Sequence, residues 1–241
     1  MLHVQSKISK IETGRTTPTL ADVERILAAL AAPADLVAEV MTLARVATTE
    51  WQDFRSLRRS GLANKQQELA SFEASSTHLR YFLPAMVTGL LATPDYIRAS
   101  LADAVPDSDA IVKRKLARQR VLRDSTKKFT FLLTEQAVRW SLLPPAGMAG
   151  QVDRLIELSA SIQIGVIPLG TPNPDGPLNT FTIYDDRIVT AETTTGVVLL
   201  RNRQDIDLHR DLFARYESCA RYGEDARSVL VEWRSAFLGQ I

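Results

Sequence analysis

The spacing of apolar residues changes character along this chain, and that change restricts it to two parts of different construction. Leu20, Val23, Leu27 and Leu30 recur at intervals of three and four, as do Leu36, Val40, Leu43 and Ala44, one stripe of a helix in each case. Trp51, Phe54 and Leu57 continue at helical spacing toward Arg58-Arg59-Ser60-Gly61, where a break between domains is expected. Further on, the apolar residues fall into short runs of strand length: Phe129 to Leu133, Ile162 to Ile167, Thr180 to Tyr184, Arg187 to Ala191 and Val197 to Leu200. Tyr184-Asp185-Asp186-Arg187 reads as a tight hairpin turn. Helices are predicted over Lys65 to His78, Pro106 to Arg123 and Asp205 to Leu238. The fold class is therefore α+β, with a helical domain over residues 1–60 and, over 61–241, a mixed domain built on a four- or five-stranded sheet with flanking helices. Between Leu169 and Leu178 the density of Pro172, Pro174, Gly176 and Pro177 suggests a lid over a pocket.

Composition bounds the partners. The 241 residues are 45% hydrophobic, enough for a substantial core, and the formal net charge is +1, so DNA contact would have to rest on a local patch. The single Cys219 excludes an internal disulfide framework and a cysteine-rich zinc site, and it suits the cytoplasm. No charged-then-apolar leader opens the chain and charge interrupts every apolar stretch, so neither secretion nor a membrane partner is expected.

The first residues carry a surface of their own. Val4, Ile8 and Ile11 form an apolar stripe, while Gln5, Ser6, Ser9 and Lys10 fall largely on the other faces. Gly14 can end a helix in the left-handed conformation, and Thr17-Pro18 suits an N-cap followed by the first residue of the next helix. From Gln5 to Leu30 this string resembles the recognition helix and following turn of a phage-repressor-type (XRE-type) helix-turn-helix. In that motif the start of the second helix enters the major groove. The resemblance implies that Gln5, Ser6 and Lys7 face base edges, Gln suiting adenine and Lys guanine, that Ser9 shares this surface, and that Lys10 and Arg15 face phosphates. Family members carry two further helices ahead of this one, so the domain is expected to be truncated, with no cover for Val4, Ile8 and Ile11.

The second part extends the resemblance, through Glu73-Ala74, Val87 to Tyr96, Arg118-Gln119, Glu135, Gln151 to Leu158, Val166-Ile167-Pro168 and Glu192. These stretches are similar to those of regulators from high-GC Gram-positive bacteria that join an XRE-type domain to a C-terminal, antitoxin-like domain of unknown function. The family pattern has Pro where Thr88 stands, Gln where Ala92 stands and usually Ala where Ile97 stands. If that segment recognises the family's ligand or partner, this chain has altered or lost the recognition.

No phosphate loop, dinucleotide fingerprint, nucleophile elbow or His-Glu-x-x-His motif is present, and His3, His78 and His209 are far apart, so neither a cofactor nor a metal is expected. Glu73, Tyr81, Tyr96, Glu135, Trp140 and Glu192 are the candidates to line a ligand pocket. Glu135 and Glu192, with Glu73, Tyr96 and His78, would be the acid/base set if the domain catalysed a reaction. For each glutamate a structural role, capping a helix or pairing with Arg118 or Arg139, outweighs the catalytic one. The densest charge cluster, Lys113, Arg114, Lys115, Arg118, Arg120 and Arg123, reads as a solvated helix face before it reads as a nucleic-acid surface. Two functions remain. The first is a DNA-binding transcriptional regulator whose second domain forms a homodimer and senses a small molecule or a small partner protein encoded nearby. The second is a regulator-derived protein reused as a ligand binder or as a cofactor-independent cyclase or isomerase in a biosynthetic pathway.

Overall fold

The structure, a computed structural model, describes residues 2–13, 18–48, 50–53, 71–101, 108–172, 175–193 and 196–239. Three helices come first: α1 (Leu2–Glu12), α2 (Leu20–Ala29) and α3 (Ala34–Thr48). Helix α2 starts two residues later than Thr17-Pro18 suggests. Thr19 is the N-cap, its hydroxyl accepting the N–H of Asp22 while the Asp22 carboxylate accepts the N–H of Thr19, a reciprocal box that satisfies two orphan donors. Gly14 and Thr17 lie outside the described residues.

Helices α2 and α3 share a small core of Val23, Leu27 and Met41, to which none of the described side chains of α1 contributes. The expected stripes are only half buried: Leu30 is 73% exposed, Leu43 61% and Ile8 39%. Two short stripes on two helices can shelter one shared line of contact, and the residues at the margins stay in water.

The rest is a seven-stranded mixed sheet in the order β1-β7-β6-β5-β2-β3-β4, larger than the four or five strands expected. Its strands are β1 (Glu50–Asp53), β2 (His78–Leu83), β3 (Lys128–Thr134), β4 (Gln163–Ile167), β5 (Thr180–Tyr184), β6 (Ile188–Glu192) and β7 (Gly196–Leu200). The two additional strands are β1, where the spacing of Trp51 predicts a helix, and β2, which follows a helical turn over 71–75. Strands β2, β3 and β4 run parallel, and β1, β5, β6 and β7 join antiparallel. Parallel strands need long crossover connections, and here these carry helices. Helices α4 (Pro94–Ser100) and α5 (Ser108–Arg118), the latter followed by a 3-10 turn (Gln119–Arg123), lead from β2 to β3. Helices α6 (Glu135–Arg139) and α7 (Pro145–Leu158) lead from β3 to β4.

The predicted C-terminal helix is two, α8 (Arg203–Ser218) and α9 (Gly223–Leu238), so Cys219 caps a helix rather than sitting inside one. At the break Arg221 exchanges two backbone hydrogen bonds with Val166, at 2.8 and 3.0 Å, which covers part of the exposed edge of β4. Gly165 lies under the Tyr222 ring there; a Cβ would stand 2.7 Å from ring carbons, so the position admits no side chain.

Both faces of the sheet are covered. Leu79, Tyr81, Leu83, Phe129, Phe131 and Leu133 point to one side, with α7 and α9. Phe82, Leu132, Phe181, Ile183 and Val189 point to the other, against Ile206, Phe213 and Tyr216 of α8.

The hairpin between β5 and β6 turns through the three residues Asp185, Asp186 and Arg187, with Asp185 and Asp186 at φ +48° and +53°, left-handed values that Asp tolerates better than most residues, and with the Arg187 N–H donating to the Tyr184 carbonyl at 2.9 Å. Asp185 also ties the turn to β2. Its carboxylate accepts the N–H groups of Thr77 (3.0 Å) and His78 (2.7 Å) and the Thr77 hydroxyl. Partial burial works against the charged form, but these donors prevail and hold Asp185 below the usual carboxylate range. Asp185→Ala is expected to cost about 1–3 kcal/mol at pH 7 in urea unfolding. A depressed carboxylate stabilises above its unfolded pKa of about 4 and ceases to as pH falls through the folded value. The difference between the two proteins should therefore shrink on acidification; a gap that widens below about pH 4 contradicts the assignment.

Candidate functional site

A cavity of about 250 Å³ lies on the α4–α5 side of the sheet. Alternation along the strands supplies its floor: Tyr81 and Leu83 of β2 and Thr180, Thr182 and Tyr184 of β5 point in, while Phe82 and Ile183 point to the opposite core. Met86, Val87, Thr88, Gly89 and Ala92 form the roof, Tyr96, Ile97 and Ser100 close one end, and Glu192 of β6, itself exposed, stands at the rim.

The roof is irregular backbone, and buried amides hold it. The Gln119 amide donates to the carbonyls of Gly89 (2.8 Å) and Ala92 (2.7 Å). Gln151, fully buried on α7, donates to the Leu91 carbonyl (3.1 Å) and accepts the Thr93 N–H (2.7 Å). The Tyr96 hydroxyl accepts the Val87 N–H at 3.1 Å. Thr93 caps α4 with Pro94 in its first turn, which fixes Tyr96 and Ile97 inward. A loop without regular structure is thereby kept as a wall.

Helix α5 brings two cations to this wall. Arg118 forks onto Glu73, Nε donating to Oε2 at 2.6 Å and Nη2 to Oε1, while the Tyr81 hydroxyl donates to Oε1 at 2.9 Å. Glu73 is 1% exposed, and its charge is met by this paired geometry. Burial opposes the charge on Arg118, but Glu73 more than compensates and pushes it up. Burial, aided by Glu73, pushes the Tyr184 phenol up as well, and burial does the same to Tyr81 and Tyr96. In all three tyrosines the neutral phenol is favoured.

Lys115, one turn before Arg118, runs its side chain along Gly89, whose Cβ position lies 3.4 Å from the lysine Cδ. Burial first, then the Arg118 charge, push Lys115 down, with Glu192 opposing. The remaining members of the basic cluster, Lys113, Arg114, Arg120 and Arg123, are exposed.

Of the expected pocket residues the structure brings together four. Tyr81, Tyr96 and Glu192 line the cavity, and Glu73 stands behind Tyr81 and Arg118. Glu135 and Trp140 do not join them. Glu135 accepts from Arg139 (2.5 Å) and from the Leu169 N–H (2.9 Å), fastening α6 to the end of β4, and Trp140 is 57% exposed. His78 opens β2 outside the cavity wall, where burial lowers its pKa. Glu135, Glu192 and His78 thus form no single acid/base constellation. The segment over 169–178 is not the lid it suggested: its described residues line no part of the cavity. Asp175 pairs with Arg215 and the Gly176 carbonyl accepts the Tyr216 hydroxyl at 3.1 Å, both on α8.

On the helical part, Gln5 and Ser6 lie on α1, their side chains outside the described residues, as is Arg15. Ser9 and Lys10 are exposed. Lys7 is half exposed and its ammonium pairs with Asp22 of α2 at 2.7 Å. Among the described residues no helix is long and apolar enough to cross a membrane, and no cluster of His, Cys, Asp or Glu is arranged to hold a metal ion.

Lys115, Gln119, Gln151 and the threonines of β5 are the site residues that pattern reading missed. Gln151 carried a signal: it sits among Met148, Val152 and Leu155 on the buried stripe of α7, where an amide must find partners. Lys115 carried none, since in sequence it is one charge among six.

The architecture defines a two-part protein, a helical N-terminal segment and an α+β domain enclosing a partly polar cavity. Residues 66–232 match the family described as a domain of unknown function (DUF5753), well over half of the chain, and the chain belongs to that family. Residues 5–40 match a helix-turn-helix domain, which takes in most of α1, all of α2 and the first half of α3. This pairing fits a regulator of XRE-like type with a C-terminal domain of unknown function. Thr88, Ala92 and Ile97, where the chain departs from the resemblance noted above, all line the cavity. No match was found among curated proteins. Among solved structures the chain is similar to TrmBL2, an archaeal chromatin protein, at 14% identity and TM-score 0.38, covering 92% of this chain and 66% of that one. It is also similar to Nuc from Salmonella typhimurium, a phospholipase D family member, at 11% identity and TM-score 0.39, covering 66% and 90%. A third is NucT from Helicobacter pylori, at 12% identity and TM-score 0.42, covering 73% and 98%. At TM-scores this low none of the three bears on function.

Proposed function

We propose that this protein is a DNA-binding transcriptional regulator whose α+β domain dimerises and binds a small molecule in the cavity. The observation that carries the first half is the helix-turn-helix match over 5–40, with Ser9 and Lys10 exposed on α1. The cavity, partly open and with its roof fastened by Gln119 and Gln151, supports the second half, because a preformed concave site with a few polar groups suits a small ligand. Dimerisation accords with the way helix-turn-helix proteins read two half-sites. A cytoplasmic location follows from the same reading.

The test is a mobility shift of promoter DNA from the protein's own gene at two salt concentrations. Lys10→Ala is expected to weaken binding to every sequence alike and to lower the salt slope by about one phosphate contact. Gln5→Ala should instead lose discrimination between specific and scrambled duplexes. Lys7 can leave Asp22 for a base at little cost, since exposed ion pairs contribute about 0–1 kcal/mol. Equal losses on scrambled DNA for Gln5→Ala and Lys10→Ala overturn the base-contact assignment, and no shift by the wild type overturns the regulator.

A further inference from the structure

The cavity wall contains two cations, and only one is balanced. Arg118 is taken by Glu73, which also receives the Tyr81 hydroxyl, so that trio presents no net charge to the cavity. Lys115 makes no ion pair within 4.0 Å among the described residues; Glu192, at the rim, acts on it only through space. A largely buried ammonium without a contacting anion is costly unless something else meets it.

The surroundings restrict what that can be. Leu83, Met86, Val87, Ala92 and Ile97 offer an apolar body site, with Thr180 and Thr182 as neutral hydrogen-bonding groups opposite. The volume corresponds to about eight waters, below the range of drug-sized pockets. A phosphate dianion would find one unpaired lysine and would face the Glu192 carboxylate. A monoanion meets the charge balance.

We propose that the cavity is a receptor for a small monoanionic carboxylate with an apolar body, its carboxylate held by the Lys115 ammonium. This rests on the reading of the cavity as a ligand site, and it specifies the chemistry of the ligand.

Phenylacetate, 3-phenylpropanoate and hexanoate, each with its neutral amide, and phenyl phosphate are titrated into the full chain by calorimetry and ligand-observed NMR, without DNA. At least one carboxylate is expected to bind about tenfold or more tightly than its own amide, and phenyl phosphate more weakly than phenylacetate. Lys115→Met keeps the stem and removes the charge, and should abolish the preference for carboxylate over amide. Glu192→Gln should strengthen carboxylate binding, a change that a merely structural role for Lys115 would not produce. Circular dichroism establishes that both variants are folded. Amides binding as well as carboxylates, a preference for the phosphate, an unaltered preference in Lys115→Met, or no binding by any probe each overturn the proposal. DNA binding is scored separately in the mobility shift, so a carboxylate receptor that binds no DNA would sink the regulator and leave this inference standing.

Discussion

Glu73→Ala is expected to destabilise the protein by about 3–5 kcal/mol, read as a fall in the denaturant midpoint. The carboxylate is buried and accepts from Arg118 through two nitrogens and from Tyr81. Its removal leaves a guanidinium, 20% exposed, and a fully enclosed phenol without their acceptor, and the cost is that of uncompensated charge and not only of a lost contact. The double variant Glu73→Ala/Arg118→Met should recover much of the loss, because the stranded charge goes too. A single variant within about 1 kcal/mol of wild type, or a double variant much worse than the single, would contradict this account of the trio. Carboxylate binding should also change in Glu73→Ala, since Arg118 becomes a second free cation in the cavity wall.

Phe82→Ala should cost a similar amount, about 3–5 kcal/mol, by a different route. Phe82 is 1% exposed on the opposite face of β2, stacked on Tyr216 with ring centroids 4.0 Å apart and tilted against Phe181 at 5.3 Å. Its truncation opens a void between the sheet and α8, where neither the strand nor the stacked ring can readily collapse. Because Tyr81 and Leu83 point the other way, the folded protein should keep its affinity for carboxylates. Loss of that affinity at low denaturant, with circular dichroism intact, would mean that the two faces are coupled more tightly than alternation along β2 implies. Together the two substitutions separate what holds the sheet from what holds the cavity.

The elements that could be read from the sequence are those whose local signals agree with their environment. The runs at 129–133, 162–167, 180–184 and 197–200 become strands because short runs made mostly of apolar or β-branched residues suit a sheet covered on both faces. The paired Asp185-Asp186 turn was equally plain. Strand β2 was hidden, since His78-Leu79-Arg80-Tyr81 follows residues with helical spacing, and only pairing with both β3 and β5 settles its state. Trp51 shows the same override by pairing, here with Val198 of β7. Of the polar groups that stand out near apolar runs in the sequence, Tyr81, Tyr96 and Glu192 line the cavity and Glu73 stands behind its wall. Arg118 stands out in the sequence as a partner for a glutamate, but Lys115, which turns inward by its phase on α5, is indistinguishable by composition from Lys113 and Arg114, which face water. Trp140 shows the converse, a large aromatic that the short helix α6 leaves at the surface.

In the proposed function the N-terminal helices contact DNA. Hydrogen exchange of the full chain, with and without a duplex from its own promoter, tests this contact, because protection is read segment by segment. Slower exchange across residues 5–15 on the specific duplex, less on a scrambled one, is the predicted result. Unchanged exchange over that segment at saturating DNA, with any protection confined to the α+β domain, would contradict it.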